Sequence, residues 1–414
     1  MPKKILVITS HYPPYHIGGY ELRIKDILEQ LTDRGYKIRV VTSMKEGTLK
    51  LSAHIYRYEV VRKLHRRKKA RCFIEELIFD LQDTALLDRQ IKGFAPDILY
   101  LAHIMPLSKA IIPFLAERKT SLVFDEGGMG VIASWENRGR WFYFIEEYVS
   151  RYAILNKLKP SIIDLICKIS QNRLKPKWLW PTKVKVIFNS ELNYNNTISR
   201  NIPIGDALVV RSGIDTEKFD FLPREKLGLP ILLIVPGRIE PPKGQMDAVR
   251  LLDKLMESGL DGKMIFVGEN FSKTYFLEVT AAIQKLRLED KIAFFPMLTQ
   301  DELKNLYHAA DICFFPSHHK TGYSRVPLEA MASGCIVVSY GNEGSNEIIQ
   351  HGRTGFLVRP GDYAEIISIV EELKVNSRMV WEVTAGARRE IEENCTLQRY
   401  IDEIEKVLSE AIRS

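Results

Sequence analysis

The sequence contains no run of about 18 apolar residues, so no segment of it reads as a membrane-spanning helix. It has only five cysteines in 414 residues, Cys72, Cys167, Cys313, Cys335 and Cys395, widely spaced and with no CxxC pair. That excludes a disulfide scaffold and fits a reducing, cytoplasmic compartment. The opening "MPKKILVITS" puts lysines before a short apolar run without a cleavage site, which predicts a first strand rather than a signal peptide. Glycine and proline are dispersed, with no low-complexity tract. Formal net charge is only +7, and no recognised nucleic-acid module accompanies it, so no nucleic-acid partner is expected.

What is present is 45% hydrophobic residues, enough for two or three cored domains at roughly 150 residues each. Short apolar runs alternate with amphipathic stretches of helix length, the pattern of parallel α/β sheets. Strands are expected at 5–9, 38–42, 98–102, 122–124, 184–188 and 208–210, then afresh at 231–235, 263–267, 292–295, 312–315, 336–339 and 356–358. Two sheets are expected rather than one of twelve strands. The reading gives an N-terminal domain over 1–215, a linker over 216–230 where charges and turn formers replace apolar periodicity, and a second domain over 231–395. Residues 396–414 carry a helical apolar spacing, which predicts a closing helix packing back toward the first domain.

Three segments could carry chemistry. In "HYPPYHIGGYE" the pair Gly18-Gly19 precedes a helix, so backbone N–H groups there can approach an anion closely. His11 and His16 share that loop, but no third ligand follows at zinc-like spacing, which argues against a metal. In "IVPGRIEPPKGQMDAV" Arg238 and Lys243 follow a strand and precede a helix, the position at which open α/β sheets bind ligands. An arginine fork and a lysine point charge suit a diphosphate. Alone, the two would more often be solvated loop cations. In residues 310–358 two loop-to-helix junctions follow strands, and Glu329, acceptor-only when ionised, suits a pair of ribose hydroxyls. Its plainer reading is a salt-bridged carboxylate.

With these residues assembled, the chain resembles the family 4 glycosyltransferases. The resemblance rests on "RSGIDTEKF", "GRIEPPKG", "FVGEN", "HAADICFFPS", "EAMASGCIVVS" and "NEIIQHGRTGFLV", in family order. In the first half only "PPYHIGGYE" contributes. It implies a GT-B fold, two Rossmann-like α/β domains facing across a cleft. It also implies retaining, metal-independent transfer of a sugar from a nucleotide-sugar donor to a polysaccharide, glycolipid or other glycan. By the same resemblance Arg238 and Lys243 hold the donor diphosphate and Glu329 the ribose. Gly237, Thr321, Gly322, Tyr323, Ser324, Asn342, Gly344 and Ser345 line the donor pocket with Gly18 and Gly19.

Two departures stand out. Counting back eight positions from Glu329 reaches Thr321, where the family has glutamate. In "VFDEGG" Asp125 and Glu126 stand near a strand end at which many relatives carry histidine. With His16 they are the acceptor-side candidates. The first departure keeps two alternatives open, a nucleotide-sugar-binding protein with lost turnover and a nucleotide-sugar 2-epimerase. No Asp-x-Asp pair occurs, so no cofactor or metal is expected. Residues 62–71 hold seven Lys or Arg in ten, and 157–185 mix cations with Trp178, Leu179 and Trp180. Both suit an anionic membrane surface or lipid-linked acceptor, against a solvated loop and a buried Trp pair. Peripheral attachment to the inner membrane face is the corresponding expectation.

Overall fold

A computed structural model of the chain describes residues 3–14, 18–43, 58–66, 72–137, 139–174, 180–320 and 322–413. The chain divides into two compact units, one of residues 1–210 with 401–414 and one of residues 211–400. Each is a parallel sheet whose central strands are buried on both faces, which is why they read as unbroken apolar runs.

In the first unit the strands are β1 (Lys4–Thr9), β2 (Lys37–Ser43), β3 (Glu59–Leu64), β4 (Ile98–Ala102), β5 (Ser121–Glu126), β6 (Lys185–Phe188) and β7 (Asp206–Val209). Their order is β3-β2-β1-β4-β5-β6-β7, parallel throughout, with Ile5 opposite both Ile38 and Ile98. The order reverses between β1 and β4, which creates a crevice at their carboxyl ends.

Strand β3 ends on Arg62, Lys63 and Leu64, the first residues of the basic stretch 62–71. It is an edge strand, mostly half-buried, and carries Arg62 and Lys63, so its apolar signal is thin. Arg62 donates to the carbonyls of Tyr12 (3.1 Å) and Pro13 (2.6 Å), so this cation braces the loop after β1. Residues 67–71 of the basic cluster lie outside the described residues. Trp180 is buried and stacks on Phe124 with ring centroids 5.9 Å apart, while Trp178 and Leu179 fall outside the described residues.

Helix Phe73–Phe94 carries no clean apolar stripe because Glu76, Asp80 and Asp83 occupy its buried face. The Trp141 indole donates to Asp80 (2.7 Å), and His65 Nδ1 lies 2.7 Å from Asp83. Burial raises the Asp80 carboxyl from 3.8 to about 7, helped by Glu76 and Asp83 and opposed by hydrogen bonds from Ser108 and Trp141. The fold therefore keeps a proton that the unfolded chain releases at a lower pH. Its contribution to stability is complete below the unfolded value of 3.8 and is lost as pH rises through about 7. On the order of 4 kcal/mol is involved. Urea unfolding of Asp80→Asn in mildly acidic and mildly alkaline buffers should show that slope flattened relative to the parent.

In the second unit the strands are β8 (Ile231–Pro236), β9 (Gly262–Val267), β10 (Ile292–Phe295), β11 (Ile312–Phe315), β12 (Ile336–Ser339) and β13 (Phe356–Leu357). The order β10-β9-β8-β11-β12-β13 reverses between β8 and β11. The stretch expected as a linker, 216–230, is part of this unit. Phe219 is fully buried, and Arg224 pairs with the buried Asp311 at 2.6 Å, so its charges serve an internal ion pair. Helix Leu397–Arg413 closes the chain. From Ile401 it packs on the first unit, where Arg34 pairs with Asp402 (2.7 Å) and Glu405 (2.5 Å). Among the described residues no helix is long and apolar enough to cross a membrane.

Candidate functional site

In the second unit the chemistry-bearing residues gather at the switch point between β8 and β11. After β8 come Gly237, at φ +147, and Arg238, then a 3-10 turn Pro241–Lys243 leading into helix Gln245–Glu257. Between turn and helix sits Gly244, at φ +72, where an added Cβ would lie 2.1 Å from the Pro316 carbonyl. The Lys243 turn is thus pressed against the end of β11. Gly244→Ala should lower the stability of this unit by on the order of 3 kcal/mol and displace the turn. Urea unfolding and a nucleotide-binding titration of the same protein read the two effects.

Lys243 Nζ lies 2.9 Å from Glu343 Oε1, and Ser317 Oγ donates to the same oxygen. Glu343 follows β12, so one buried carboxylate ties together the ends of β8, β11 and β12. The Asn342 amide donates to the Ser317 carbonyl at 2.9 Å. Arg238, about one-third exposed, pairs with Glu240 at 2.7 Å and lies 4.7 Å from the Phe271 ring centroid. Burial, with the Lys243 charge next, lowers the pKa of the His319 imidazole. The two cations are therefore held in place by carboxylates, half-desolvated, where electrostatic contacts are stronger than in bulk water.

Glu329 lies in the first turn of helix Val326–Ser333. It accepts from Tyr307 at 3.2 Å and from Arg325 Nε at 3.3 Å and is 5% exposed. The Gly344 amide donates to the Gly322 carbonyl (3.0 Å), which joins the loop of Gly322, Tyr323 and Ser324 to the turn Gly344–Ile348. Burial raises the Tyr323 hydroxyl well above its ordinary pKa, and Ser324 Oγ accepts from the Val326 amide. Ser345 Oγ is buried with no hydrogen-bond partner among the described residues. Thr321 lies outside them, as does His16.

In the first unit the β1/β4 switch point is also occupied. His103 follows β4 with φ +40, a left-handed conformation uncommon for a non-glycine residue. Its Nδ1 is 3.1 Å from Glu21 Oε1 and 3.0 Å from Ser10 Oγ. Ser10 Oγ is also 3.0 Å from His11 Nδ1, and Glu21 Oε2 accepts from the Gly18 amide at 3.1 Å. Burial lowers the His11 pKa to about 4. Among the described residues His11, Glu21 and His103 form the group that could hold a metal ion, with donor atoms within 4.8 Å of one another. Spacing along the chain hid this, because the partners of His11 come from a helix and a distant strand. Gly18 is the extended N-cap of helix Gly19–Asp33, and an added Cβ there would meet nothing within 4 Å among the described residues.

Asp125 and Glu126 end the neighbouring β5, where the Tyr20 hydroxyl donates to the Asp125 carbonyl (2.8 Å) and accepts from the His103 amide (3.2 Å); both carboxylates are buried and engaged. Arg23 donates to Asp125 at 2.6 Å, and the Tyr100 hydroxyl donates to its other oxygen. Glu126 accepts from the amides of Gly128 (2.7 Å), Gly130 (2.9 Å) and Val131, capping helix Gly130–Glu136. A histidine, His103, follows the end of β4. Its signal in the sequence is the single imidazole that ends the apolar run in "YLAHIMP".

Residues 217–395, in the second unit, match the family model described as Glycosyl transferases group 1. The chain carries a group 1 glycosyl transferase domain. Arg238, Lys243, Glu329 and Glu343 all lie inside that domain. Similarity to named glycosyltransferases extends over nearly the whole chain. An uncharacterized glycosyltransferase of Methanocaldococcus jannaschii is 24% identical over 86% of this chain and 85% of its own length. The sulfoquinovosyl transferase SQD2 of Arabidopsis thaliana is 23% identical over 94% of this chain and 70% of its own. Among solved structures, a glycosyltransferase from Rickettsia africae superposes with a TM-score of 0.73 at 18% identity, covering 100% of this chain and 99% of that one. HepE of Anabaena, solved with UDP, gives 0.68 at 20% identity over 99% and 100%. The fold is GT-B, two Rossmann-like α/β domains.

Proposed function

We propose that the chain is a retaining glycosyltransferase that moves a sugar from a nucleotide-sugar donor, UDP-linked by preference, to a polysaccharide, glycolipid or other glycan. One observation carries this reading: Arg238 and Lys243 sit together at the β8/β11 switch point, inside the group 1 domain. Anions bind at such strand ends in doubly wound sheets. HepE, of the same fold, is solved with UDP and with UDP-glucose, which supports a uridine donor.

In this reading the donor diphosphate takes the place of Glu240 and Glu343 as the partner of the two cations. Charge developing on the departing diphosphate meets positive groups already positioned, the arrangement that stabilises a transition state most effectively. The acceptor hydroxyl attacks the face from which the diphosphate leaves, and a phosphate oxygen takes its proton. Glu329 holds the ribose hydroxyls. The unpartnered Ser345 Oγ and the loop Gly322, Tyr323, Ser324 contact donor groups, as does Asn342. Gly237 leaves the backbone at the end of β8 open to the phosphates. The first unit binds the acceptor, and by the family resemblance the backbone of Gly18 and Gly19 serves phosphate binding. No divalent ion bridges the diphosphate. The reading includes a cytoplasmic enzyme attached to an anionic membrane surface, supported by the cations of residues 157–185.

A screen of UDP-, GDP- and ADP-sugars, read by binding and by donor hydrolysis with and without chelator, tests the proposal. A UDP-sugar should be bound and slowly hydrolysed, with no loss in chelator. Failure of all three donors to bind, or activity that chelator removes and Mg²⁺ restores, would contradict it.

A further inference from the structure

Helix Ala153–Ile169 in the first unit buries little of its apolar surface. Its inner side carries Ile162, Ile163 and Ile166, which pack on the core of that unit. A second apolar stripe, Ile154, Leu158, Leu165 and Ile169, recurs at helical spacing and is left open, with exposures of 78%, 50%, 56% and 58%. It extends over roughly 22 Å of helix at the usual rise per residue. Tyr148 and Tyr152, both about half exposed, stand at its amino-terminal end. Lys157 and Lys168 follow one edge of the stripe, and Lys168 pairs with Asp164 at 2.7 Å. The helix carries three lysines against one aspartate.

We propose that this stripe is a docking surface for an anionic lipid bilayer, with Ile154, Leu158, Leu165 and Ile169 inserted at the level of the headgroups. The proposal deepens the membrane element of the reading above and names its contact. A contiguous exposed apolar stripe on a helix marks an interaction surface. Its chemistry selects the occupant. A helix lying in the bilayer interface combines large aliphatic residues on one side with lysines along the edge, whose stems reach along the apolar surface while the ammonium groups stay in the headgroup layer. Interfacial tyrosines add anchors of mixed polarity. The excess of lysine gives preference for anionic lipid.

The test is co-sedimentation of the full chain with vesicles of phosphatidylcholine alone and of phosphatidylcholine with one-third phosphatidylglycerol. The parent protein should bind the anionic vesicles at least about tenfold more tightly. The exposed-site double variant Leu158→Gln/Leu165→Gln should lose on the order of tenfold in binding or more, and Lys157→Gln/Lys168→Gln should lose the anionic preference alone. Both variants should bind UDP as the parent does. Parent protein left in the supernatant with both vesicles, or full binding by the aliphatic variant, would overturn the proposal. So would a dimer of the parent that the aliphatic variant dissociates without any vesicle binding, since a second copy would then cover the stripe. Vesicle binding in a protein that binds no nucleotide would support the docking surface and defeat the transferase reading.

Discussion

Lys243→Met is expected to reduce turnover by a hundredfold or more, about 3 kcal/mol of transition-state stabilisation, and to destabilise the second unit as well. Two effects are superposed because Lys243 has two partners at different stages. In the free protein it neutralises Glu343, which is 4% exposed and otherwise accepts only from Ser317 among the contacts described above. Removing the cation leaves a buried carboxylate without its counter-charge, a loss of about 3–5 kcal/mol. In the proposed reaction the same ammonium meets the departing diphosphate. The double variant Lys243→Met/Glu343→Gln separates the two, since the glutamine has no charge to strand. Its urea midpoint should return most of the way to that of the parent while turnover stays low. Recovery of turnover together with stability would show that Lys243 serves the fold alone.

Glu329→Gln is expected to cost roughly ten- to a hundredfold in nucleotide affinity, the loss of charge-assisted hydrogen bonds to two hydroxyls. The substitution keeps the shape of a side chain that is almost wholly enclosed and preserves an acceptor for Tyr307. The informative comparison is UDP against its 2′,3′-dideoxy analogue. The parent should prefer the ribonucleotide, and the variant should bind the two nearly alike. A full preference retained by Glu329→Gln would mean that this carboxylate only anchors Arg325 and Tyr307. Glu329→Ala does not separate these cases, because it also removes the ion pair with the buried Arg325 and the acceptor for Tyr307.

Much of the second unit is legible in the sequence because strands buried on both faces have little freedom in composition. "ILLIVP" and "ICFF" announce β8 and β11, and the polar residues between strand and helix are then necessarily at the carboxyl end of the sheet. The order of strands is not legible, so that Arg238 and Lys243 meet the loop after β11 emerges only from the topology. The internal partners of the site are also hidden. Glu343 is one acid in a polar loop, and nothing near it in the chain shows that Lys243 and Ser317 converge on it.

The first unit is harder to read for a physical reason. Its β3 lies at an edge, and helix Phe73–Phe94 buries acids in place of an apolar stripe, so both depart from the patterns that periodicity detects. The partners of Asp125 and Glu126 are equally hidden in the sequence. Two adjacent carboxylates at a strand end attract attention as chemistry, yet each is consumed by its own partners, Arg23 and Tyr100 for one and a helix amino terminus for the other. The switch point also gathers His11, Glu21 and His103, from the loop after β1, the first helix and the residue after β4, and no two of them are neighbours in the sequence.

The most direct measurement of the central claim is a calorimetric titration of UDP and of uridine into the parent protein and into Arg238→Ala, whose side chain is exposed enough to remove without disturbing the core. If the cations at the end of β8 hold a diphosphate, UDP binding should weaken on the order of tenfold or more in the variant, while uridine, which lacks phosphate, binds both proteins alike. Equal UDP affinity in the two proteins would contradict the account.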